Sequence, residues 1–353
     1  MAREDSMKKV LVGLSLQSDR YEREEGPAKQ FIIPASQALL DAPRKYSELR
    51  GEASQHLIGV VPLAYNTKMS LGIFAFPEKS GLGELLAMAV GEDVVEETVE
   101  DYVYTHTFTP QDVPPLATIW QSEQAGELCT WSAGVNKLTL DVPNNSEMKV
   151  TADILGGGIM ASDDMGTPTA SDFPGACDGS KVFRSGKLTL TYGDEGAAIR
   201  VNVKDVKLEI DRGIKVEEGL CQDMDYPLTI VPSQNLLTAD IEFLQEDLVE
   251  LKRSWGGTTV TSPQSTIGCV AANLKYIGPA IFVDLKPEPT TYYYTLEIDI
   301  PAAHIKYTPI EKGERRAGRI TLQPVASPGA APYTIKLVNS VATVYKPAEA
   351  PEP

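Results

Sequence analysis

Three histidines, four cysteines and a large excess of carboxylates are the side chains here that could do chemistry. Their spacing decides what that chemistry could be. Cys129, Cys177, Cys221 and Cys269 stand more than forty residues apart, with no CxxC and no Cys/His pairing, so no zinc frame is offered. They read as buried free thiols of a reducing compartment. His56 lies in a loop-like context, and His106 and His304 lie in or beside strands. No HExxH, GxSxG or Walker loop accompanies them. The two glycines of "SGLGELL" have GxG spacing without a third, and are better explained by entry into a helix. "GGG" at 156–158 with Asp163 and Asp164 lacks the acidic spacing of a calcium loop and reads as a solvated turn. The sequence therefore predicts no enzyme, no cofactor and no metal.

If the carboxylates do not catalyse, their charge must matter otherwise. The 353 residues carry 32 Lys+Arg against 49 Asp+Glu, a net charge of −17. Such a chain cannot hold nucleic acid by neutralising phosphates, although it can lie beside nucleic acid without sticking. "MKKVLVGLSLQSDRYE" only faintly imitates a signal peptide, and no segment approaches a membrane span. A soluble protein made in a cytoplasm is expected. The length suggests about two domains.

The elements that position these side chains are mostly strands. From His56 onward, short runs rich in Val, Ile, Thr and Tyr alternate with Gly, Pro and Asn turns. Two helices interrupt them. In "KSGLGELLAMAVGED", Ser80 suits the N-cap, Leu82, Leu85, Leu86, Ala89 and Val90 share a face, and Gly91 suits the C-cap. In "QEDLVELKRSWGG", Leu244, Leu248, Leu251 and Trp255 share a face and Gly256 follows. The order around each helix repeats. "MSLGIFAF", helix, "YVYTHTFTP", "GVNKLTLDV", "MKVTADIL" is answered by "LLTADIEFL", helix, "YYYTLEIDIP", "HIKYTPIEK", "RRAGRITLQPV". Val135 aligns with Ile305, and Lys149-Val150-Thr151 with Arg319-Ile320-Thr321. The recurrence of "TADI" at 151–154 and 238–241 implies another register that would scramble the helix order, and it is set aside.

Within the strands, polar and apolar residues alternate. Glu147, Lys149, Thr151 and Asp153 share one face, as do Thr238, Asp240 and Glu242, and as do Thr295, Glu297 and Asp299. His106 falls on the apolar side of its strand, where a hydrogen-bonded histidine at the core edge is expected. An antiparallel sheet with one wet face explains all of this without any special function.

The succession "FIIPASQALL", "LGELLAMAVGE", "YVYTHTFTP", "PPLATIW", "GVNKLTLDV", "VTADILGGG", "YTLEIDIPAAHIKYT" and "YTIKLVNSVATVY" resembles the tail tube proteins of long-tailed (siphovirus-type) bacteriophages, over about residues 31–345. The resemblance implies a mainly β protein of two tandem β-sandwich or split-barrel units, each with one flanking helix. Their inner sheets would join into a β-barrel lumen on assembly. It places an N-terminal arm at 1–30, one unit at 31–160, a linker or long loop at 161–190, a second unit at 191–346 and a mobile tail at 347–353. Partners would be further copies of the chain, as homotrimeric pseudo-hexameric rings stacked into a tube. The lumen would hold tape measure protein and double-stranded DNA without tight binding, with tail terminator and baseplate proteins at the ends and no membrane contact. The location would be the virion tail, assembled in the host cytoplasm. Glu147, Asp153, Asp240, Glu242, Glu297 and Asp299 are the candidates for an acidic lumen lining. Residues 1–30, 40–57 and 156–180 are candidates for ring-to-ring contacts. Other ring or tube components, such as a tail terminator or baseplate hub, and a monomeric β-sandwich ligand-binding module are the competing readings.

Overall fold

A computed structural model describes residues 10–19, 22–35, 39–41, 44–50, 57–65, 67–99, 101–123, 126–175, 178–184, 188–192, 203–217, 229–244, 249–255, 261–263, 269–284, 290–312, 315–326 and 328–347. The chain is mainly β. It opens with β1 (Leu11–Leu16), β2 (Gln30–Ile32) and β3 (Leu39–Asp41), followed by a hairpin of β4 (Arg44–Arg50) and β5 (Leu57–Tyr65) and then by β6 (Thr67–Phe74). Helix α1 (Leu82–Ala89) leads into β7 (Asp93–Val99), β8 (Val103–Phe108), β9 (Ala117–Glu123), β10 (Gly126–Val142), β11 (Lys149–Gly156) and β12 (Gly158–Ser162). Next come β13 (Leu188–Tyr192), β14 (Val203–Asp211), a hairpin of β15 (Lys215–Glu217) and β16 (Thr229–Val231), and β17 (Leu236–Leu244). Helix α2 (Val249–Ser254) precedes β18 (Val270–Asp284), β19 (Thr290–Lys312), β20 (Arg315–Pro324) and β21 (Thr334–Asn339).

Two unusually long strands organise the rest. The first half of β10 lies between β9 and β12, in a sheet ordered β2-β1-β9-β10-β12. Its second half, beyond irregularities at Thr130/Ala133 and Val135/Lys137, lies between β11 and β14. β19 divides in the same way. Its first half joins an outer sheet ordered β13-β18-β19-β21-β8-β7, and after Pro301 its second half pairs with β20. The second halves of β10 and β19 belong to one long antiparallel sheet, β3-β6-β11-β10-β14-β17-β20-β19. Following these pairings never returns to a strand already counted, so the system is open and branched rather than closed into a barrel.

The two similar strands of the sequence, β8 and β19, flank the same strand. β21 pairs Leu337 with His106 on one side and with Leu296 on the other, and Ile335 with Phe108 and Ile298. Tyr104-Thr105-His106 thus stands where Tyr294-Thr295-Leu296 stands across β21, the register the sequence suggests.

Alternation drives the packing. Leu138, Leu140, Val150, Ala152, Ile210, Ile241, Ile320 and Ile305 of the long sheet enter one core with Leu274, Leu296, Ile298 and Leu337 of the outer sheet. The polar faces of these two sheets therefore look away from each other. α1 lies in this core with Leu82, Leu85, Leu86, Ala87, Met88 and Ala89 all buried, as a helix apolar on nearly every side must.

Several details differ from the sequence reading. The residue capping α1 is Gly81, at φ +78°, not Ser80, because a Cβ there would lie 2.4 Å from Ile32 Cδ1. Ser80 Oγ still accepts from Leu82 N–H at 3.4 Å, and Val90 rather than Gly91 ends the helix. Leu244 closes β17 instead of opening α2, and Leu248 and Gly256 lie outside the described residues. The supposed arm contains β1, which is buried on both faces and paired with β2 and β9. Residues 1–9 and 348–353 lie outside the described residues. In the segment read as a linker, Val182 and Phe183 are buried, and Phe183 bonds both Ala75 and Met148 backbones, which ties it to the body. Cys129 is buried but Cys269 is exposed, while Cys177, Cys221 and His56 lie outside the described residues.

Candidate functional site

The feature with functional geometry is the polar face of the long sheet. The buried parity of each strand fixes the opposite parity outward, so one continuous surface carries Asp41 and Lys68 at one end and Lys306 and Thr308 at the other. Between them lie Lys149, Thr151 and Asp153 of β11, Lys137, Thr139 and Asp141 of β10, Lys207, Glu209 and Asp211 of β14, Thr238, Asp240 and Glu242 of β17, and Arg319 and Thr321 of β20.

Charges of opposite sign sit across neighbouring strands. Lys137 faces Asp153 on one side and Asp211 on the other; Asp141 faces Lys149 and Lys207; Lys207 also faces Asp240. Lys137 Nζ reaches Glu209 Oε1 at 2.7 Å, Lys207 Nζ reaches Glu209 Oε2 at 3.4 Å, and Arg319 Nη2 lies 3.9 Å from Glu242 Oε2. Thr321 Oγ1 donates to Asp240 Oδ1 at 2.5 Å. The surface is a mosaic of paired charges, not an acidic stripe.

The six acidic candidates divide. Asp153, Asp240 and Glu242 share this face. Glu297 and Asp299 belong to the outer sheet, whose polar face points the other way, so no single bore can be lined by all of them. There Glu297 is bonded by Asn273 Nδ2 at 2.8 Å and by Lys275 Nζ at 3.1 Å. Burial alone would raise its pKa, but these partners and Lys336 outweigh it and hold the carboxyl below its ordinary value. Glu147 lies at the margin just before β11, its backbone paired with that of Arg184 in an isolated antiparallel β-bridge. Sequence reading missed the basic half of the mosaic. The signal was available, since Lys137, Lys149 and Lys207 occupy the same parity as the neighbouring acids.

Two other places have the look of chemistry. His106 and Asp93, both fully buried side chains, meet at 2.5 Å through Nδ1 and Oδ2. The other ring nitrogen, Nε2, donates to the Val341 carbonyl at 2.8 Å and lies 3.1 Å from Asn339 Oδ1. Asp93 Oδ2 also accepts Tyr345 N–H at 3.0 Å, and Asn339 Nδ2 donates to the Pro77 carbonyl at 3.0 Å. Both nitrogens are engaged away from solvent, so this pair clamps the segment after β21 onto the body and offers nothing to a substrate. Beside it, a cavity of about 690 Å³ runs between the start of α1 and residues 341–347, with Lys29, Lys79, Glu84, Thr343 and Lys346 among its walls. Burial pushes the Glu84 carboxyl up to about 7. Among the described residues Tyr345 is its one aromatic wall, which is poor equipment for stacking on sugar rings.

Among the described residues, no helix is long and apolar enough to cross a membrane. No protein-family model matches the chain, and no curated protein matches it in sequence.

Proposed function

We propose that this chain is a structural virion protein, a tail tube subunit that polymerises into stacked rings around a channel for genome ejection. One observation carries the reading. The long sheet consists of two quartets, β3-β6-β11-β10 and β14-β17-β20-β19, in the same order and sense. Ile73 opposite Val150 in the first corresponds to Ile241 opposite Ile320 in the second. Each quartet sends a hairpin out between its first and second strands, β4–β5 and β15–β16, and a helix follows its second strand. This supports a duplicated unit. It also revises the alignment drawn from sequence: through the pairing registers, Ile305 corresponds to Leu138 rather than Val135, because Ile305 and its partner Leu322 stand 17 residues apart where Leu138 and Ala152 stand 14 apart, so the second hairpin is the longer beyond the matched pair.

Among the described residues both end strands, β3 and β19 beyond Ala303, where Val270 of β18 is the last partner on its far edge, pair on one side only. Unpaired edges of this length recruit other strands unless they are joined. Three chains closed edge to edge would contribute three such sheets to one barrel. At ordinary strand spacing and tilt that barrel is roughly 45 Å across between backbones, wide enough for a nucleic-acid duplex. Two units per chain would give the ring pseudo-sixfold symmetry. The bore would carry the charge mosaic, where lysines already paired with carboxylates release few counterions to DNA, so the duplex slides rather than binds. The two hairpins, each paired only with itself among the described residues, are suited to reach neighbouring rings, since isolated hairpins need a partner to be stable. Tape measure protein would share the lumen, and terminator and baseplate proteins the ends.

Negative-stain electron microscopy of the concentrated protein tests this. Long hollow tubes with threefold end views are expected. Single rings that never stack would favour a terminator, and a monomer at every concentration would overturn the proposal.

A further inference from the structure

Resting on the ring reading above, the internal junction between the quartets assigns the register of the junction between copies. Within the chain, the last strand of the first quartet meets the first strand of the second with Leu138 opposite Ile210 and Lys137 opposite Asp211. The equivalents at the two free edges follow from the pairing registers once Val150 is matched with Ile320, as above. Leu138 faces Ala152 on β11 as Ile305 faces Leu322 on β20, so Ile305 takes the place of Leu138 and His304 that of Lys137. Ile210 faces Leu237 on β17 as Leu40 faces Met69 on β6, so Leu40-Asp41 takes the place of Ile210-Asp211.

We infer that β19 of one copy pairs antiparallel with β3 of the next, with Ile305 opposite Leu40 and His304 opposite Asp41. The chemistry agrees on both faces. Leu40 and Ile305 are both buried toward the core side, as Leu138 and Ile210 are, and would continue its apolar layer across the joint. On the polar face His304 and Asp41 would meet as Lys137 and Asp211 do, a basic side chain opposite a carboxylate. Gln323 across β20 and Lys306 two residues along its own strand are the other polar groups facing His304, and Lys68 is the one facing Asp41. Asp41 therefore brings the only carboxylate among these groups. The occupant of each free edge is thus the opposite edge of a second copy, in a stated register.

Cysteine pairs test the register directly, because opposed residues have Cβ atoms about 4.5–5.5 Å apart whereas a two-residue slip puts them at roughly 7–8 Å, too far for a disulfide. Rings of Asp41→Cys/His304→Cys and of Leu40→Cys/Ile305→Cys, with Cys269→Ser and single-cysteine controls, are oxidised and run without reductant. One of these adjacent pairs falls at a non-hydrogen-bonded site, the closer geometry. A ladder of interchain products is expected from at least one of them and not from Asp41→Cys/Lys306→Cys or Asp41→Cys/Ala302→Cys. A ladder from a slipped pair instead overturns the register and leaves the ring standing. Rings of unsubstituted protein in which no pair cross-links overturn the β19–β3 contact itself. A chain that forms no rings overturns the ring reading and this register together. Independently of disulfide geometry, His304→Asp should abolish ring formation and Asp41→Lys should restore it in the double variant; no restoration counts against the pairing.

Discussion

His106 and Leu296 occupy corresponding places on either side of β21, and the molecule treats them in opposite ways. On the Leu296 side the outer sheet closes with apolar side chains, Leu274 and Ile298 among them. On the His106 side the place corresponding to Leu274 is held by Asp93, and the two polar groups fasten the segment after β21 through Asn339, Val341 and Tyr345. In the long sheet strand order and corresponding registers are alike in both quartets, although outward residues differ in places, Gly72 and Phe74 of β6 standing where β17 has Asp240 and Glu242. The quartets agree in strand order and register, whereas the two flanks of β21 differ in the packing behind the sheet. Many apolar solutions fill a core equally well, so packing can differ where strand order does not.

Making the first half resemble the second is the sharpest way to break that comparison. His106→Leu alone should cost about 3–5 kcal/mol, since it strands the buried Asp93 carboxylate without its partner. Adding Asp93→Leu should recover much of the loss, because a buried ion pair replaced by apolar groups is often neutral or better. Urea unfolding of the two singles and the double checks this, and strict additivity would refute the assignment of the pair as a coupled clamp.

A smaller effect comes from Glu84. Its folded pKa of about 7 lies above the value near 4.5 of an exposed glutamate, so the folded state binds its proton more tightly. The stabilisation is complete below about pH 4.5 and is lost as the pH rises through about 7, with a ceiling of roughly 3 kcal/mol. Glu84→Gln should raise the melting temperature at pH 8 and leave it nearly unchanged at pH 5, and equal shifts at both pH values would sink the attribution. The smallest effect belongs to the mosaic. Lys137→Ala removes a partly exposed pair with Glu209 and should cost about 1 kcal/mol or less in stability. Its consequence should appear in filter-binding of duplex DNA to assembled tubes, where unpaired carboxylates lower retention at low salt.

The strands and α1 were legible because alternation and helical periodicity are local. "YVYTHTF" and "YYYTLEI" could be aligned by eye, and they do flank one strand in that alignment. What lay beyond reach was long-range. Nothing in "LVGLSL" announces that β1 is covered on both faces, because the covering residues, Trp120, Cys129 and Met165 among them, come from distant loops and strands. The stretch from Ile305 to its partner Leu322 is three residues longer than that from Leu138 to Ala152, which shifted the apparent match with Ile305 by three positions, and a matched spacing in sequence does not show where a hairpin has lengthened. The acidic excess of the whole chain suggested an acidic face, whereas the lysines are concentrated where the strands pair. Net charge is a sum over the surface and says nothing of its distribution.

The clamp at His106 joins partners 233 residues apart in the chain. Strand β8 is made long before β21, with one side committed to β7 and the other open until β21 follows. A nascent chain halted anywhere before Asn339 therefore has an outer sheet split in two and an unfastened helix α1. Synthesis through β21 is therefore the step that joins the two parts of the outer sheet.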